Sequence, residues 1–511
     1  MTPGDLVSRR RVSPAAVALI AGLLYPLAFA PWQWYPLGWL ALIPLFLAAE
    51  AEPVRVRVRR GLAFGLGAFG MGLHWLLPTI HEFGHMPWLL AVPTWALLIL
   101  YCAAYPAIFA AGAQRLAGGL PFSVRMIVLY PLLWVLLEGL RGWAFTGFPW
   151  LALGAAQEAG PLGGYMPLVG ALGAGLVAAV INGLLVVAGR ALSQRDWRPA
   201  VASLMGTVVL VAGGWGAASL GWARSAGPAL EAALVQGAVP QRLKWDADAR
   251  ERILARYRRL TRAHLDADVV IWPETATPVL AAQAQRRLGD LIEEARARDT
   301  ALLVGAPERQ WQDGTAYYHN SAFLWGAGDG GHYRKRHLVP FGEYVPLRSI
   351  LFFAERFVPG GGAFRPGTSA APLTLPGGAR AGVSICYEDA FAGETAAPVA
   401  QGAGLLVNLT NDAWFGDSIG PAQHAQLARV RARELARPLL RVANTGTTFA
   451  VDPKGAVSSR LPRNEPGVAR VRVRPREGRT PFSYLGPGGV LGLAGLAWAV
   501  LVLAGRRRKR G

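Results

Sequence analysis

The chain has 511 residues, of which 52% are hydrophobic and 16% are charged, and its mean hydropathy of +0.29 favours a polytopic membrane protein over a soluble one. The formal net charge of +20 does not indicate a nucleic-acid partner, because the basic residues are divided among clusters beside apolar stretches and form no single stripe. Two cysteines occur, Cys102 and Cys386, so a disulfide framework is excluded.

Stretches apolar enough to cross a membrane dominate the first half of the chain. A spanning helix needs about 20 apolar residues, and about eight candidates are present. They are 14–30, 35–50, 61–80, 88–112, 123–140, 163–190, 199–221 and 484–505. The first stretch could be a cleaved signal peptide ending at Ala28-Phe29-Ala30, but another apolar span follows it instead of a polar mature domain. We therefore predict a helical membrane bundle over 1–221 and a last transmembrane helix with a basic tail over 484–511.

The charge pattern predicts the orientation of the bundle. Basic clusters at 9–11, 54–60, 115–125 and 190–198 alternate with loops that are poor in Lys and Arg. Because cytoplasmic loops retain Lys and Arg, both termini are expected in the cytoplasm of a bacterium. The polar segment 222–483 is then expected on the periplasmic side of the inner membrane.

Two features of the membrane half have more than one interpretation. The segment 144–160 is moderately apolar and broken by Gly and Pro, which indicates a re-entrant or interfacial segment instead of a simple loop. Glu138 and Arg141 lie three positions apart near a helix end, so they can share one face. Charges at such depth are either functional or anchor the helix at the interface.

From residue 229 onward, short β-branched runs alternate with charged stretches of helical period. This pattern predicts an α/β domain over 222–483. The charged stretches 250–265 and 285–298 each carry the apolar stripe of a surface helix. The strand candidates are 233–240, 268–274, 301–308, 321–325, 381–388 and 404–412.

Three polar residues of this domain are candidates for chemistry, although each also has a simpler explanation. Cys386 ends a strand, where a free cysteine is usually part of the core. An unpaired thiol in an oxidising compartment, however, is typically kept for its reactivity. Glu274 follows a strand and Trp272, where partial burial suits a general base; a helix cap or a surface glutamate is the alternative. Lys335 lies in a basic segment, and the simpler interpretation is a solvent-exposed turn.

The combination of motifs is more specific than any one residue. In chain order, WPE (272–274), K-x-x-L-V-P-F-G-E (335–343) and CYE (386–388) resemble the Glu-Lys-Cys signature of the nitrilase, or carbon–nitrogen hydrolase, superfamily. The N-terminal bundle and the final helix narrow the resemblance to the apolipoprotein N-acyltransferase family, over essentially the whole chain. Further segments typical of that family are FGEYVP (341–346), TNDAWFG (410–416), VQGAVPQRLKWD (235–246) and LRGWAFTGFPWL (140–151).

The resemblance implies an αββα sandwich and a two-step acyl transfer, the last step of lipoprotein maturation. A fatty acyl chain moves from a phospholipid, phosphatidylethanolamine by resemblance, to a thioester on Cys386. It then moves to the α-amine of the S-diacylglyceryl-cysteine of an apolipoprotein. Glu274 is the expected general base, and Lys335 and the backbone N–H of Tyr387 are expected to face the oxyanion.

Supporting residues are also implied. Glu343 and Glu388 are expected to hold Lys335 charged and oriented, surface glutamates being the alternative. Because both substrates keep acyl chains in the bilayer, the site is expected to open sideways to lipid. We predict a mobile lid over 341–364, including Phe341 and Tyr344, with Trp245 and Trp414 at the mouth; an ordinary packed helix is the alternative.

The sequence has two alternative functional interpretations. The nearer one is a membrane-tethered amidase or nitrilase that acts on a small soluble amide by the same chemistry. The other is a transporter or receptor, which the scarcity of buried ionisable pairs and the lack of a visible inverted repeat disfavour. The histidines show no metal-ligand spacing, so no metal and no cofactor are expected. The protein is expected to act as a monomer.

Overall fold

The computed structural model describes residues 13–51, 53–328, 330–346, 349 and 364–510. Helices make up most of the chain before residue 219. They are α1 (Pro14–Leu24), α2 (Ile43–Ala49), α3 (Val54–Gly72), α4 (Leu76–Pro78), α5 (Trp88–Ala117), α6 (Phe122–Val124), α7 (Tyr130–Arg141), α8 (Leu153–Ala156), α9 (Met166–Ser193) and α10 (Trp197–Ala218). The chain is a membrane protein, because apolar segments of this length form its larger helices.

Within the described residues, five helical segments are long and apolar enough to cross a membrane. They are Trp88–Ala117, Phe122–Arg141, Pro161–Ser193, Trp197–Ala218 and Pro481–Lys509. A sixth is obtained if Val54–Gly72 and Leu76–Phe83, which are bent by 65° at a short break, count as one span. Shorter apolar helical segments cover Pro14–Ala28 and Tyr35–Ala49. Each sequence candidate thus coincides with apolar helix, while the number of eight crossings stays a prediction.

Small residues allow α3 to lie directly against α5. A Cβ atom at Gly65 would come within 2.6 Å of Ala103 Cα, and one at Gly61 within 2.5 Å of Pro106 O. Membrane helices associate through such close approach, because lipid tails provide no hydrophobic driving force between them. Glycine at these two positions therefore allows the close spacing between α3 and α5.

Glu138 and Arg141 hold the segment that follows α7. Arg141 Nη1 donates to the carbonyl oxygens of Phe148 and Trp150, both at 2.6 Å. Glu138 Oε1 accepts the N–H of Leu153 at 2.8 Å. Non-helical backbone at membrane depth has to be satisfied by the protein itself. Glu138 and Arg141 therefore satisfy backbone groups of the segment after α7.

Two mixed sheets form the second half of the chain. Their strand orders are β13-β2-β3-β4-β5-β6 and β12-β11-β10-β9-β8-β7, and β1 pairs with β14. The strands are β1 (Arg224–Ser225), β2 (Leu230–Gln236), β3 (Val269–Ile271), β4 (Ala301–Gln312), β5 (Thr315–Gly326), β6 (His332–Arg334), β7 (Leu373–Thr374), β8 (Arg380–Ile385), β9 (Leu405–Thr410), β10 (Leu439–Ala443), β11 (Phe449–Val451), β12 (Val457–Arg460), β13 (Gly467–Val473) and β14 (Arg476–Glu477). The pairs β2–β3, β3–β4, β8–β9 and β9–β10 are parallel.

The two large sheets pack face to face and are covered by helices on both outer faces. A shared apolar core joins β2, β3 and β4 to β8, β9 and β10. The outer helices are α11 (Arg250–Arg262), α12 (Ala281–Arg287), α13 (Gly289–Ala297), α14 (Ala392–Ala400) and α15 (Gly420–Leu435). One apolar cluster packs α11 to α13 on the first sheet, and another packs α14 and α15 on the second. The predicted αββα sandwich is therefore confirmed.

The helix α15 joins the sandwich to the bundle. Gln423 Oε1 accepts the indole N–H of Trp75 at 3.0 Å and that of Trp150 at 2.8 Å. Gln426 Oε1 accepts the N–H of Ala30 at 3.0 Å. Apolar residues of the same helix, Leu427 and Val430, belong to the core of the bundle. The final helix α16 (Pro481–Arg510) also packs on both parts, because Phe482 and Val490 share the cluster of α14 and α15.

Candidate active site

The three residues of the sequence signature follow three different strands. Glu274 lies shortly after β3, Lys335 directly after β6, and Cys386 directly after β8. Glu274 and Cys386 follow parallel strands that belong to the two facing sheets, and the carboxyl ends of such strands are where α/β folds place ligand sites. Cys386 has φ +53°, which is unusual for a residue with a side chain and marks a sharp turn out of the strand.

Lys335 lies between two carboxylates. Its Nζ is 3.0 Å from Glu343 Oε1 and 3.7 Å from Glu274 Oε1, and its side chain is only 1% exposed. Burial alone would favour the neutral amine, but Glu343 and Glu274 raise the pKa of Lys335 above its usual value. The side chain is therefore a fixed ammonium group beside Glu274.

Asn320, which sequence reasoning missed, holds the two carboxylates in place. Its Nδ2 donates to Glu274 Oε1 at 2.7 Å and to Glu343 Oε1 at 3.1 Å. Glu343 Oε2 accepts the N–H of Val339 at 2.8 Å. Within the described residues, Glu274 Oε2 has no hydrogen-bond partner. That oxygen is thus available to accept a proton.

The thiol of Cys386 shares this pocket. Burial raises the pKa of Cys386, the carboxylate of Glu274 raises it further, and the ammonium of Lys335 opposes both effects. The net direction is upward, so the resting group is a neutral thiol. A nucleophile in that state needs an adjacent base. Glu274 is the candidate, because among the carboxylates it has the largest effect on the pKa of this thiol.

Glu388 is fully buried and connects two turns of the site. Its carboxylate accepts the N–H of Ile385 at 2.7 Å, that of Arg336 at 2.6 Å and that of His337 at 3.1 Å. The hydroxyl of Tyr333 donates to it at 2.8 Å. Burial raises the pKa of Glu388 to about 7, although these N–H groups lower it. Of the two predicted supporting carboxylates, Glu343 contacts Lys335 directly, whereas Glu388 fixes the backbone on both sides of the pocket.

Lys244 is a second buried cation that sequence reasoning did not single out. Its Nζ donates to the carbonyl oxygen of Glu274 at 3.3 Å and to Thr275 Oγ1. Burial lowers the pKa of Lys244 to about 8, against the opposing effects of Glu274 and Cys386. Its position inside the motif VQGAVPQRLKWD was the available signal, but a lysine beside an exposed tryptophan resembles a surface residue.

Replacing Lys244 with methionine is expected to slow alkylation of Cys386 by iodoacetamide at pH 7 by roughly threefold to tenfold. Because the pKa of Lys244 lies at about 8, its charge is present at pH 7 and assists thiolate formation. That charge is lost as the pH rises through 8, so at pH 9.5 the two proteins are expected to differ by less than about twofold. Peptide mass spectrometry measures the rates.

The variant Lys244→Arg is the control for this experiment. A guanidinium stays charged at both pH values, so native alkylation at pH 7 is expected, together with a rate at pH 9.5 above that of the native protein. Equal slowing of Lys244→Met at both pH values would contradict the electrostatic explanation and indicate a loss of packing.

The aromatic residues predicted for the mouth and lid lie in different surroundings. Tyr344 reaches the segment after α7, because its Oη lies 3.3 Å from Thr146 Oγ1. The supporting residue Tyr387 reaches the same segment and donates to Gly147 O at 3.1 Å. Trp414 packs edge to face on Phe83 with ring centroids 5.7 Å apart. Trp245 and Phe341 are about half exposed, at 56% and 51%. Most of the predicted lid, namely 347–348 and 350–363, lies outside the described residues.

Comparison with known proteins agrees with both halves of the fold. The apolipoprotein N-acyltransferase N-terminal domain matches residues 21–184, and the carbon-nitrogen hydrolase domain matches residues 231–480. The apolipoprotein N-acyltransferase of Photobacterium profundum is 37% identical over 92% of this chain and 91% of its own. That of Methylococcus capsulatus is 39% identical over 96% of each chain.

Among solved structures, Nit3 of Saccharomyces cerevisiae, a member of branch 10 of the nitrilase superfamily, is 18% identical with a TM-score of 0.36, over 49% of this chain and 92% of its own. The two relatives above, in contrast, match over 92% and 96% of this chain. This chain therefore belongs to the apolipoprotein N-acyltransferase family.

Proposed function

We propose that the protein transfers a fatty acyl chain from a membrane phospholipid to the α-amine of the S-diacylglyceryl-cysteine of apolipoproteins, with Cys386 as the acyl carrier. The observation that carries this proposal is the ammonium of Lys335, buried between Glu274 and Glu343 in the pocket of the only described cysteine outside the bundle. A base, a cation and a thiol are the groups that acyl transfer through a thioester requires.

In the first step, Cys386 Sγ attacks the ester carbonyl carbon of the phospholipid while Glu274 takes the thiol proton. The resulting oxyanion is stabilised by Lys335 Nζ and by the backbone N–H of Tyr387. The C–O bond then breaks, Glu274 returns the proton to the glycerol oxygen, and a lysophospholipid leaves. A thioester remains on Cys386.

In the second step, the α-amine of the diacylglyceryl-cysteine attacks the thioester carbonyl. Glu274 accepts a proton from the amine, the C–S bond breaks, and the proton returns to the thiolate. The product is an amide-linked, triacylated lipoprotein. The same base and oxyanion donors thus serve both half-reactions.

The position of the pocket suits substrates that stay in the bilayer. Tyr387 and Tyr344 contact Gly147 and Thr146, which belong to the segment that follows a membrane helix. The same segment exposes the aromatic side chain of Phe145 at 83%. Acyl chains that approach from lipid would lose little apolar burial on reaching a site beside this segment. We take phosphatidylethanolamine as the donor.

We also propose the topology. The last turns of α16, which contain the basic run 506–510, lie next to the turn after α5, because Gly119 N–H donates to Gly505 O at 3.0 Å. The opposite end of α16 packs on the sandwich. Basic residues favour the cytoplasm, so this arrangement supports a sandwich on the periplasmic side. We propose eight crossings of the inner membrane and a monomer. Its units are 1–221, 222–483 and 484–511, with both termini cytoplasmic.

Incubation of the detergent-purified protein with a phosphatidylethanolamine whose two acyl chains are identical tests the proposal. Peptide mass spectrometry is expected to find that acyl group on the Cys386 peptide as a hydroxylamine-sensitive thioester. Addition of a synthetic peptide with an S-diacylglyceryl-cysteine at its amino terminus is expected to remove the adduct and yield the N-acyl peptide. Cys102, which is buried in α5, is the internal control and is expected to stay unmodified.

The same experiment separates the proposal from its nearest rival. A membrane-tethered amidase would hydrolyse small amides and accumulate no adduct from phospholipid. That outcome would overturn the proposal. An acyl adduct on Cys386 that is hydrolysed by water but not transferred to the peptide would overturn it as well. The amidase is not favoured, since the match to apolipoprotein N-acyltransferases extends over the bundle as well as the sandwich.

A further inference from the structure

A buried polar network lies behind the nucleophile. His424, on α15, is 1% exposed, and its Nε2 lies 3.1 Å from the carbonyl oxygen of Cys386. Its Nδ1 lies 2.8 Å from Asp412 Oδ1 and 3.0 Å from Arg441 Nη2. The network has no part in the two half-reactions above, although buried charges are costly to retain without a use.

The proton of His424 can be assigned from these partners. Burial by itself would favour the neutral acid, but Arg441 and His424 hold the pKa of Asp412 well below its usual range, so Asp412 is a carboxylate. The carbonyl oxygen of Cys386 can only accept a hydrogen bond. Nε2 of His424 therefore carries a proton and donates it, whether Nδ1 donates to Asp412 or accepts from Arg441.

The carbonyl of Cys386 belongs to the same peptide unit as the N–H of Tyr387. A trans peptide is planar, so its C=O and N–H point in opposite directions. A donor that fixes the carbonyl oxygen consequently also fixes the direction of the N–H. It polarises the amide as well, which makes the N–H a stronger donor. The φ of +53° at Cys386 is strained by about 1–3 kcal/mol and needs such external support.

Other donors do not replace this contact. Asn408 Nδ2 is also near the carbonyl oxygen of Cys386, but at 3.5 Å, which is long for a hydrogen bond. Glu388 holds the opposite side of the turn, through the N–H of Ile385. Among the residues that the structure describes, two side chains contact the carbonyl of the Cys386–Tyr387 peptide, and His424 makes the shorter contact.

We propose that His424 is a positioning residue: its Nε2–H fixes and polarises the Cys386–Tyr387 peptide, so that the N–H of Tyr387 faces the oxyanion of both half-reactions. Asp412 and Arg441 hold the imidazole in that orientation. The inference rests on the proposed acyl transfer and adds to it a residue that acts through the backbone, without touching either substrate.

Two substitutions of His424 each retain one of its contacts and remove the other. Asparagine places an amide near the position of Nδ1 and retains a partner for Asp412, but it does not reach the carbonyl of Cys386. Glutamine places an amide N–H near the position of Nε2 and retains that donor. In single-turnover acylation by phospholipid, His424→Asn is expected to be slower by about a hundredfold, the usual cost of one oxyanion donor. His424→Gln is expected to stay within about tenfold of the native rate.

A second measurement excludes a general loss of structure. Alkylation of Cys386 by iodoacetamide forms no oxyanion, so both variants are expected to alkylate within about threefold of the native rate. The phospholipid concentration at half-maximal acylation is expected to change by less than about twofold. Gln426→Met is the matched control, because Gln426 is also buried on α15 but bonds to Ala30 of the bundle; native acylation is expected.

The outcomes are separable. Native acylation in His424→Asn, or equal losses of acylation and alkylation, would overturn the inference. If His424→Asn does not fold, Asp412→Asn replaces it, since this change leaves the imidazole but removes the carboxylate that orients it. The same split between acylation and alkylation is then expected, at about tenfold. Failure of the proposed function would instead leave the native protein without any acyl adduct.

Discussion

Cys386→Ala is expected to lower acyl transfer to a diacylglyceryl peptide by about a millionfold, to below detection, because the thioester route then has no carrier. The pocket offers no substitute, since within the described residues the other cysteine, Cys102, is buried in the bundle. The measurement is production of N-acyl peptide by the purified variant in phospholipid–detergent micelles.

Cys102→Ala is the matched control for this prediction. It removes a thiol from α5 and is expected to retain acyl transfer within about threefold, because alanine fills most of the space of a buried cysteine. Measurable transfer by Cys386→Ala would contradict covalent catalysis and favour direct attack of the amine on the phospholipid ester.

Lys335→Met is expected to lower the acylation rate by about a thousandfold and the free energy of unfolding by about 3–5 kcal/mol. Removal of the ammonium leaves Glu274 and Glu343 as neighbouring buried carboxylates without their shared cation. One of them then has to take up a proton. Mass spectrometry of the thioester in samples quenched at successive times measures the acylation rate. Thermal unfolding in detergent measures the stability.

The double variant Lys335→Met/Glu343→Gln separates these two effects. It restores the charge balance of the pocket, so most of the lost stability is expected to return. The acylation rate is expected to stay low, because the oxyanion still lacks its cation. Recovery of the rate in the double variant would show that Lys335 serves only to neutralise Glu343.

The sequence predicted the parts of the fold that depend on local patterns. Apolar stretches of spanning length marked the membrane helices, and short β-branched apolar runs marked β2, β3, β4, β5, β8 and β9. The strand β10, in contrast, contains the buried Arg441, whose charge disguises a central strand. Bends such as the 65° break after Gly72 arise from packing between segments and have no comparable local pattern.

The site shows the same division. Glu274, Lys335 and Cys386 belong to short motifs, so they were identified and are now found in one pocket. Asn320, Lys244 and His424 were missed, because their importance comes from partners that are remote in sequence. His424 lies 38 positions from Cys386, and as a single histidine on a helix it resembles an ordinary core residue. Only the three-dimensional fold shows that His424 lies beside the carbonyl oxygen of Cys386.

The junction made by α15 has a practical consequence for anyone who wants a soluble form of this enzyme. Cutting the chain on either side of the sandwich would uncover Leu427 and Val430 and strand the amide groups of Gln423 and Gln426 without their partners. A fragment that exposes these apolar side chains and unpaired amide groups is prone to aggregate. Detergents harsh enough to loosen the helices would disturb the turn at Cys386 as well, since His424, which contacts the carbonyl oxygen of Cys386, is the next residue after Gln423.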